Sequence, residues 1–322
     1  MGVTKTYRAS LAAMSLILFS TQALAQAQTS AQTDAQVWAE PEIIVVAHPK
    51  GPAVWKLKSG TAVVYVLGAM PVMQKRAQWD MGRMDYLSKN VDLFLTKPEA
   101  RIGVMGALTL STQMNLGFGE SLDSVLPTDL ARRFKNMAKA YGLDYKKYAN
   151  LKPIAAAIRL RDDIYDKAEL STSDPEKVIV RMAKAAKTTM RPVASFSAAD
   201  VLGKITHFSR GEQLACTTNI LNEVDFATQY AKTATNYWGK GDVRDALKYQ
   251  VNSAALNCLE GDASTARVLD RTIDESVAQL DDQLKKGGKA LIILPMSTLL
   301  AKDGVLAKLR AKGVEISEPE TN

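Results

Sequence analysis

Apolar runs of strand length stand near both ends of this chain, with long stretches of helical periodicity between them. That pattern calls for an α/β fold in which the two ends share one sheet. Residues 290–294 are five consecutive apolar residues and read as a buried strand. Residues 53–57 and 62–67 are β-rich and are joined by Lys58-Ser59-Gly60, a hairpin signal. A third apolar run covers 91–96, a short fourth strand is expected at 192–196, and 314–317 reads as an edge strand. Helical periodicity occupies 74–87, 131–141, 154–168, 175–187, most of 198–284, and 305–312. Ser173 and Glu176 have the spacing of a capping box. Residues 102–119 mix small, apolar and glycine residues without a clear period and read as a surface loop over the core. The expected architecture is a central β-sheet built from N- and C-terminal segments, with a large helical insertion at about 120–286.

The first 25 residues have the form of a signal peptide: Lys5 and Arg8, an apolar run at 11–19, and Ala23-Leu24-Ala25 as the cleavage signal. The apolar run is about half the roughly 20 residues a bilayer-spanning helix needs. No cysteine follows the site to take a lipid, and no later segment is long and apolar enough to span. Residues 26–50 read as a flexible leader and 51–322 as the folded domain, expected in the periplasm or secreted. Cleavage takes the net charge from +7 to +5, a mild excess. Basic residues such as Arg132-Arg133, Lys146-Lys147 and Lys285-Lys286 are spread along the helices without interleaved aromatics, which argues against nucleic-acid binding. Net charge supports no more than loose attraction to an anionic envelope surface.

Cys216 and Cys258 are the two cysteines. Residues 212–230 and 243–256 read as helices separated by a break at Trp238-Gly239-Lys240-Gly241, with Asp242 as N-cap of the second. The midpoint between the cysteines falls at that break, so in an antiparallel helical hairpin they face one another near its open end. A disulfide there suits an oxidising compartment; two buried free thiols are the alternative. No histidine or further cysteine stands at metal-ligand spacing from them.

Other chemistries find little support. There is no Rossmann fingerprint, phosphate-cradling glycine motif or Gly-x-Ser-x-Gly elbow, and Gly117-Phe118-Gly119 alone is too weak to use. Thr96-Lys97 offers a hydroxyl and an amine, a pairing more often found as a surface lysine after a strand. His48 lies in the leader and His207 in the helical insertion, each better read as a surface or hydrogen-bonded histidine than as a ligand. Met70, Met73 and Met296 could bring soft sulfur toward cuprous copper, although methionine more often fills gaps in apolar packing.

In an α/β sheet, ligands bind beyond the C-terminal ends of the parallel strands. Two loops are expected there, Gly68-Ala69-Met70-Pro71 and Pro295-Met296-Ser297-Thr298. Five stretches in this order carry a resemblance: Pro52-Ala53-Val54-Trp55-Lys56-Leu57, Val64-Tyr65-Val66-Leu67-Gly68, Glu212-Gln213-Leu214-Ala215-Cys216, Gly241-Asp242-Val243, and Gly287-Gly288 onward to Asp303-Gly304-Val305-Leu306. Over about 52–318 the chain resembles the TraB/GumN family, which is related to the Tiki metalloproteases. The resemblance implies Gly-Thr-Ile-His after the second strand, a glutamate ending the third, and a late Gly-x-x-His. It also implies an arginine on the preceding helix and an acidic residue after the fourth strand. Such residues would hold a divalent metal and its hydrolytic water.

In this sequence the first histidine falls on Pro71, the glutamate on Thr96, the late histidine on Thr298 and the acidic residue on Ser197; the arginine is retained as Arg271. Proline offers no side-chain donor or acceptor and threonine is a poor metal ligand, so no cofactor is expected. The implied function is that of a catalytically degenerate hydrolase homologue acting as a ligand-binding or accessory protein. Met70, Thr96, Arg271, Ser297 and Thr298 would line its crevice, with Arg271 pairing a carboxylate of a peptide or small anionic ligand. The alternatives are an active metallopeptidase with different ligands, and a structural partner of an envelope protein that uses the helical insertion as its interface.

Overall fold

The computed structural model describes residues 51–96, 99–101, 112–193, 195–197, 208–254, 258 and 263–319, with the side chains of 99–101, 196, 197, 263–269 and 271 excepted. The expected signal-peptide and leader segments, His48, Lys97, His207 and residues 102–111 of the expected loop lie outside the described residues.

In chain order the first elements are β1 (Val54–Ser59), β2 (Ala62–Ala69), β3 (Met73–Gln74), α1 (Gly82–Asn90), β4 (Leu93–Thr96) and β5 (Glu99–Arg101). There follow α2 (Leu122–Val125), α3 (Thr128–Ala140), α4 (Pro153–Lys167), β6 (Leu170–Ser171), α5 (Glu176–Ala185), β7 (Thr189–Pro192) and β8 (Ser195–Ser197). The chain continues with α6 (Arg210–Gly239), α7 (Val243–Lys248), α8 (Ala263–Lys286), β9 (Lys289–Pro295), α9 (Met296–Leu300), α10 (Val305–Ala311) and β10 (Glu315–Ser317).

Six strands form one mixed sheet in the order β10-β1-β2-β9-β4-β7. The hairpin β1/β2 turns at Gly60 (φ +55°), with Ser59 opposite Ala62. β10 is an antiparallel edge strand on β1. β9 lies parallel between β2 and β4, and β7 continues the parallel set beyond β4. The expected α/β class with a sheet drawn from both ends of the chain is therefore present. The span 120–286 is not helical throughout, since it supplies β7 to this sheet and β6 and β8 to small two-stranded pairings with β3 and β5.

β9 is buried from Ala290 to Leu294 because both its neighbours and both its faces are covered. Helices α8 and α10 pack together, with α8 against β1 and β2, while α1 meets β9 and α5. Asp92 aligns the start of β9 with the start of β4: its carboxylate accepts from Lys289 N at 2.8 Å and its own N–H donates to Lys289 O at 2.8 Å. A Cβ on Gly288 would stand 2.8 Å from that carboxylate, so this position needs glycine both for its φ of +78° and for the approach of Asp92.

A second core lies in the helical layer, where Phe134, Tyr148, Leu160, Ile164, Ile220 and Leu221 are fully buried among α3, α4 and α6. Its spine is α6, 30 residues and about 45 Å long. Ser209 and Glu212 form a reciprocal capping box at its start. It ends at Lys240, Gly241 takes φ +75°, and Asp242 caps α7 by accepting from Asp245 N, as the sequence indicated.

Several local expectations differ from the fold. The helix expected at 74–87 begins only at Gly82, because the backbone N–H groups of Gln74 and Lys75 donate to Thr235 Oγ1 and Glu169 O instead of to a helical turn. The capping box at Ser173 does not form: the Ser171 hydroxyl accepts from the N–H groups of Ser173 and Asp174, and Pro175 stands at the N-cap of α5. The strand expected at 192–196 resolves into β7, ending at Pro192, and β8, starting at Ser195. The helix expected at 243–256 stops at Lys248, followed by the poor helix formers Val251, Asn252 and Ser253. The N–H of Ala254 then donates to the Glu223 carboxylate at 2.8 Å.

Glu223 is the buried ionisable centre of this layer, with its side chain 3% exposed. It accepts from the Tyr165 hydroxyl at 2.8 Å, and the Arg161 guanidinium lies 3.8 Å away. Burial pushes its pKa above the usual carboxylate value, against the lowering effects of Arg161, Tyr165 and the Ala254 N–H. Seven residues earlier on α6, Cys216 is joined to Cys258 by a disulfide with a Cα–Cα distance of 5.6 Å. Glu223 and Cys216 thus hold the same returning segment, at Ala254 and Cys258.

Two stability predictions follow from these contacts. The chain-entropy model assigns the cross-link, over its separation of 42 residues, about 4 kcal/mol. Reductant should therefore lower the denaturant midpoint of the native protein and leave a Cys216→Ser/Cys258→Ser variant unchanged. For Glu223, a raised folded-state pKa means a contribution that is full below the unfolded pKa and lost as pH rises through the folded value. Glu223→Gln should remove that decline just above the ordinary carboxylate range. Glu223→Ala should cost about 3 kcal/mol by leaving the buried Tyr165 hydroxyl and the Ala254 N–H without their acceptor. Denaturant melts across pH check both.

Candidate functional site at the parallel strand ends

The C-terminal ends of β2 and β9 lie side by side, with Gly68 opposite Leu294 and Ala69 opposite Pro295. From there the chain departs in opposite directions. β2 leads through α1 to β4 on the far side of β9, and β9 leads through α9 and α10 to β10 on the far side of β1. This divergence is the switch point at which open α/β sheets form their ligand crevice. The two loops singled out in the sequence are therefore neighbours here.

Their side chains divide into a floor and a rim. Met70 and Met296 are buried, at 3% and 1% exposure, and belong to the floor. A Cβ on Gly68 would stand 3.0 Å from both Met296 Cγ and the Trp55 ring, so only glycine lets these two side chains close over β2. Trp238, near the end of α6, donates its indole N–H to Gly68 O at 2.7 Å and packs edge-on against Trp79 at 5.5 Å. Thr235, one turn earlier on α6, receives the Gln74 N–H at 2.9 Å. The last turns of α6 are thereby fastened to the segment that leaves β2.

The rim is polar and half-buried. Pro71 follows β2, Thr96 ends β4, and Ser297 and Thr298 stand in the first turn of α9. The short helix α9 was not expected; Pro295 at its N-cap starts it directly from β9. Gly304 lets the chain fold back under it, since a Cβ there would meet Thr298 O at 2.6 Å. The Thr96 carbonyl accepts from Val193 N at 2.9 Å, tying β4 to the end of β7. Arg271 lies on α8, its side chain outside the described residues, as is that of Ser197 on β8.

Arg191 is a rim residue that the sequence reading did not single out. It lies on β7 beside Leu95, half-buried, and its guanidinium donates to the neutral side-chain amide of Gln279 on α8 at 2.7 Å. Arg271 stands eight residues before Gln279, about 12 Å further along the helix axis. An arginine one position before Pro192 at the close of a strand was the available signal.

These groups supply hydroxyls and guanidinium, suited to hydrogen bonding and anion pairing. Among the described residues no three of His, Cys, Asp and Glu come together to hold a metal ion. The clearest buried shifts in titration belong to the helical layer, at Glu223 and at Tyr165, whose pKa burial and the Glu223 charge push up. An open cleft of about 410 Å³ also lies in that layer, lined by Asp123, Thr128, Arg132 and Lys135. Its charges are already matched: Asp123 accepts from Lys135 and from the Tyr145 hydroxyl, each at 2.7 Å, and Arg132 pairs with Asp129.

The fold and this edge define an open mixed-sheet α/β protein with a topological switch point at the ends of β2 and β9, to which the last turns of α6 are hydrogen-bonded. The sequence profile of the TraB/PrgY/gumN family matches residues 53–318, nearly the whole described chain. The protein belongs to that family. Comparison with curated proteins and with solved structures returned no significant match.

The packing of the floor is directly testable. Trp238→Phe should cost about 1–2 kcal/mol by leaving the Gly68 carbonyl without its donor. Gly68→Ala should cost about 1–3 kcal/mol by forcing Trp55 and Met296 apart. Equilibrium denaturation followed by tryptophan fluorescence measures both, and unchanged midpoints would show that α6 does not hold this edge.

Proposed function

We propose that the protein is an exported TraB/PrgY/gumN family member that has lost the family's metal-holding residues and acts as a ligand-binding or accessory protein. The observation that carries this reading is the identity of the residues at the crevice: Pro71 after β2, Thr96 at the end of β4 and Thr298 after β9. These are the positions at which the family resemblance implies histidine, glutamate and histidine. A proline side chain has no lone pair to give and a threonine hydroxyl is a weak ligand for a divalent cation. The residues present do not fit the metal.

What remains suits recognition of an anion. Arg191 brings a guanidinium to the sheet edge, Arg271 is a further arginine of α8, and the hydroxyls of Thr96, Ser297 and Thr298 offer neutral hydrogen bonds. A guanidinium pairs a carboxylate in two parallel hydrogen bonds, which favours a peptide terminus or a small anionic ligand. Export to the periplasm or beyond is supported by the signal-peptide pattern of residues 1–25 and by the Cys216–Cys258 disulfide.

The test is metal uptake by the protein purified from an oxidising compartment, by elemental content and by calorimetry with Mn²⁺, Co²⁺, Zn²⁺ and Cu⁺. The expected result is no stoichiometric site. One site of micromolar or tighter affinity would overturn the degenerate-site reading and favour an active metallohydrolase with other ligands.

A further inference from the structure

We propose that the turn bearing Phe118, with the lysines beside it, docks this protein onto an anionic lipid surface. Phe118 is fully exposed, at 110% of the reference area, against 62% for Tyr86 and 44% for Met81, the other large exposed apolar side chains among the described residues. A single exposed apolar residue is common on a protein surface. Here, however, the backbone is built to hold this ring outward.

Glycines flank Phe118, and Gly119 takes φ +82°. The turn closes by Glu120 N donating to Gly117 O at 3.1 Å, and the Glu120 carboxylate folds back to accept from Gly117 N at 2.9 Å. Both feet of the turn stand on one neighbouring segment. Leu116 N donates to Asn150 O at 2.9 Å and Leu122 N to Ala149 O at 2.7 Å. Asn115 bridges Leu151, and Lys152 N donates to Met114 O at 2.9 Å. The ring therefore stands on a short excursion tied down on both sides.

The segment beneath it carries the charge. Lys146 and Lys147, in the one-turn helix Tyr145–Lys147, are exposed, and Lys152 is half-buried beside the feet of the turn. None of the three has a carboxylate partner among the described residues. Asp123 is paired with Lys135, while Asp144 and Glu120 accept from the backbone N–H groups of Lys146 and Gly117 and keep their charge, so three lysines stand against two carboxylates here. Without residues 1–25 the sequence carries +5.

A lone convex ring without a polar handle suits a bilayer better than a protein partner. Protein hot spots lie at the centre of packed, desolvated patches, and among the described residues the chain neighbours of Phe118, Gly117, Gly119 and Glu120, are exposed and form none. A lipid interface accepts one apolar side chain at the depth of the acyl boundary, while adjacent lysines stay at the headgroups and gain from anionic lipid.

The experiment is co-sedimentation of the full chain with vesicles of equal parts phosphatidylglycerol and phosphatidylcholine, and with phosphatidylcholine alone. The expected result is salt-sensitive binding to the anionic vesicles only. Phe118→Ala should weaken that binding about tenfold, the loss of one buried aromatic side chain. Lys146→Ala/Lys147→Ala should weaken it about fivefold per lysine. Every variant carries the same N-terminus, so the apolar run at 11–19 cannot produce these differences. Unchanged melting curves establish that the variants are folded, as expected for exposed positions. Binding that ignores both sets of substitutions, equal binding to neutral vesicles, or no binding at all would overturn the proposal. So would loss of a protein partner with Phe118→Ala in the absence of vesicle binding.

Discussion

The position of β9 between β2 and β4 is the constraint on which the rest of this molecule depends. Five consecutive buried residues, Ala290 to Leu294, have no polar face, so the strand is stable only where both edges are paired and both faces covered. Meeting that demand draws the last part of the chain in beside the first and leaves the intervening residues to form β4, β7 and a separate helical layer. The alignment of the strand is set at its start, where Asp92 and the Gly287-Gly288 turn tie it to β4 and Gly288 O accepts from Val63 N of β2. The same alignment brings the two divergent loops together at the other end.

The helical layer has its own core and meets the sheet through the last turns of α6. Trp238 and Thr235 hydrogen-bond to the backbone of Gly68 and Gln74, so the end of α6 and the end of β2 are one packed unit. The floor is apolar, made by Trp55, Met70 and Met296. Polar chemistry is left to the rim, where Thr96, Ser297, Thr298 and Arg191 stand half-buried. The described side chains of this rim are hydroxyls and a guanidinium, which supply hydrogen-bond donors and a positive charge. Toward the start of α6 the disulfide at Cys216, and at its middle Glu223, hold the return segment, so the helix is secured along its length.

Much of this was legible in local pattern. The strands at 53–57, 62–67 and 290–294 were recognisable because alternation or full apolarity leaves a backbone segment few other uses, and the two loops at their ends followed from the architecture. Asp242 was readable as a cap because a side-chain oxygen at that position needs only its own next residues. The pairing of Cys216 and Cys258 was readable from their symmetry about the hairpin break. Less readable were positions whose backbone is claimed by remote partners. The start of α1 is displaced by Thr235 and Glu169, the segment after α7 is held by Glu223, and the Ser173 cap is displaced by Ser171. Arg191 was missed because its setting depends on β4 and α8, far from it in the chain.

The sequence by itself determined the α/β class, the shared sheet and the family resemblance, and it places Pro71, Thr96 and Thr298 in the loops at the strand ends, because these rest on residue identity and short-range periodicity. Tertiary structure alone decided which side chains form the floor and which the rim, where helices begin and end beside competing acceptors, and that Trp238 closes on Gly68. It also decided that Phe118 stands clear of the surface, by anchoring both feet of its turn on residues 149–150. The physical reason is that a hydrogen bond or a buried contact between distant segments is worth as much as a local one. Its existence depends on register, and register is settled only when the whole sheet and the helical layer have assembled.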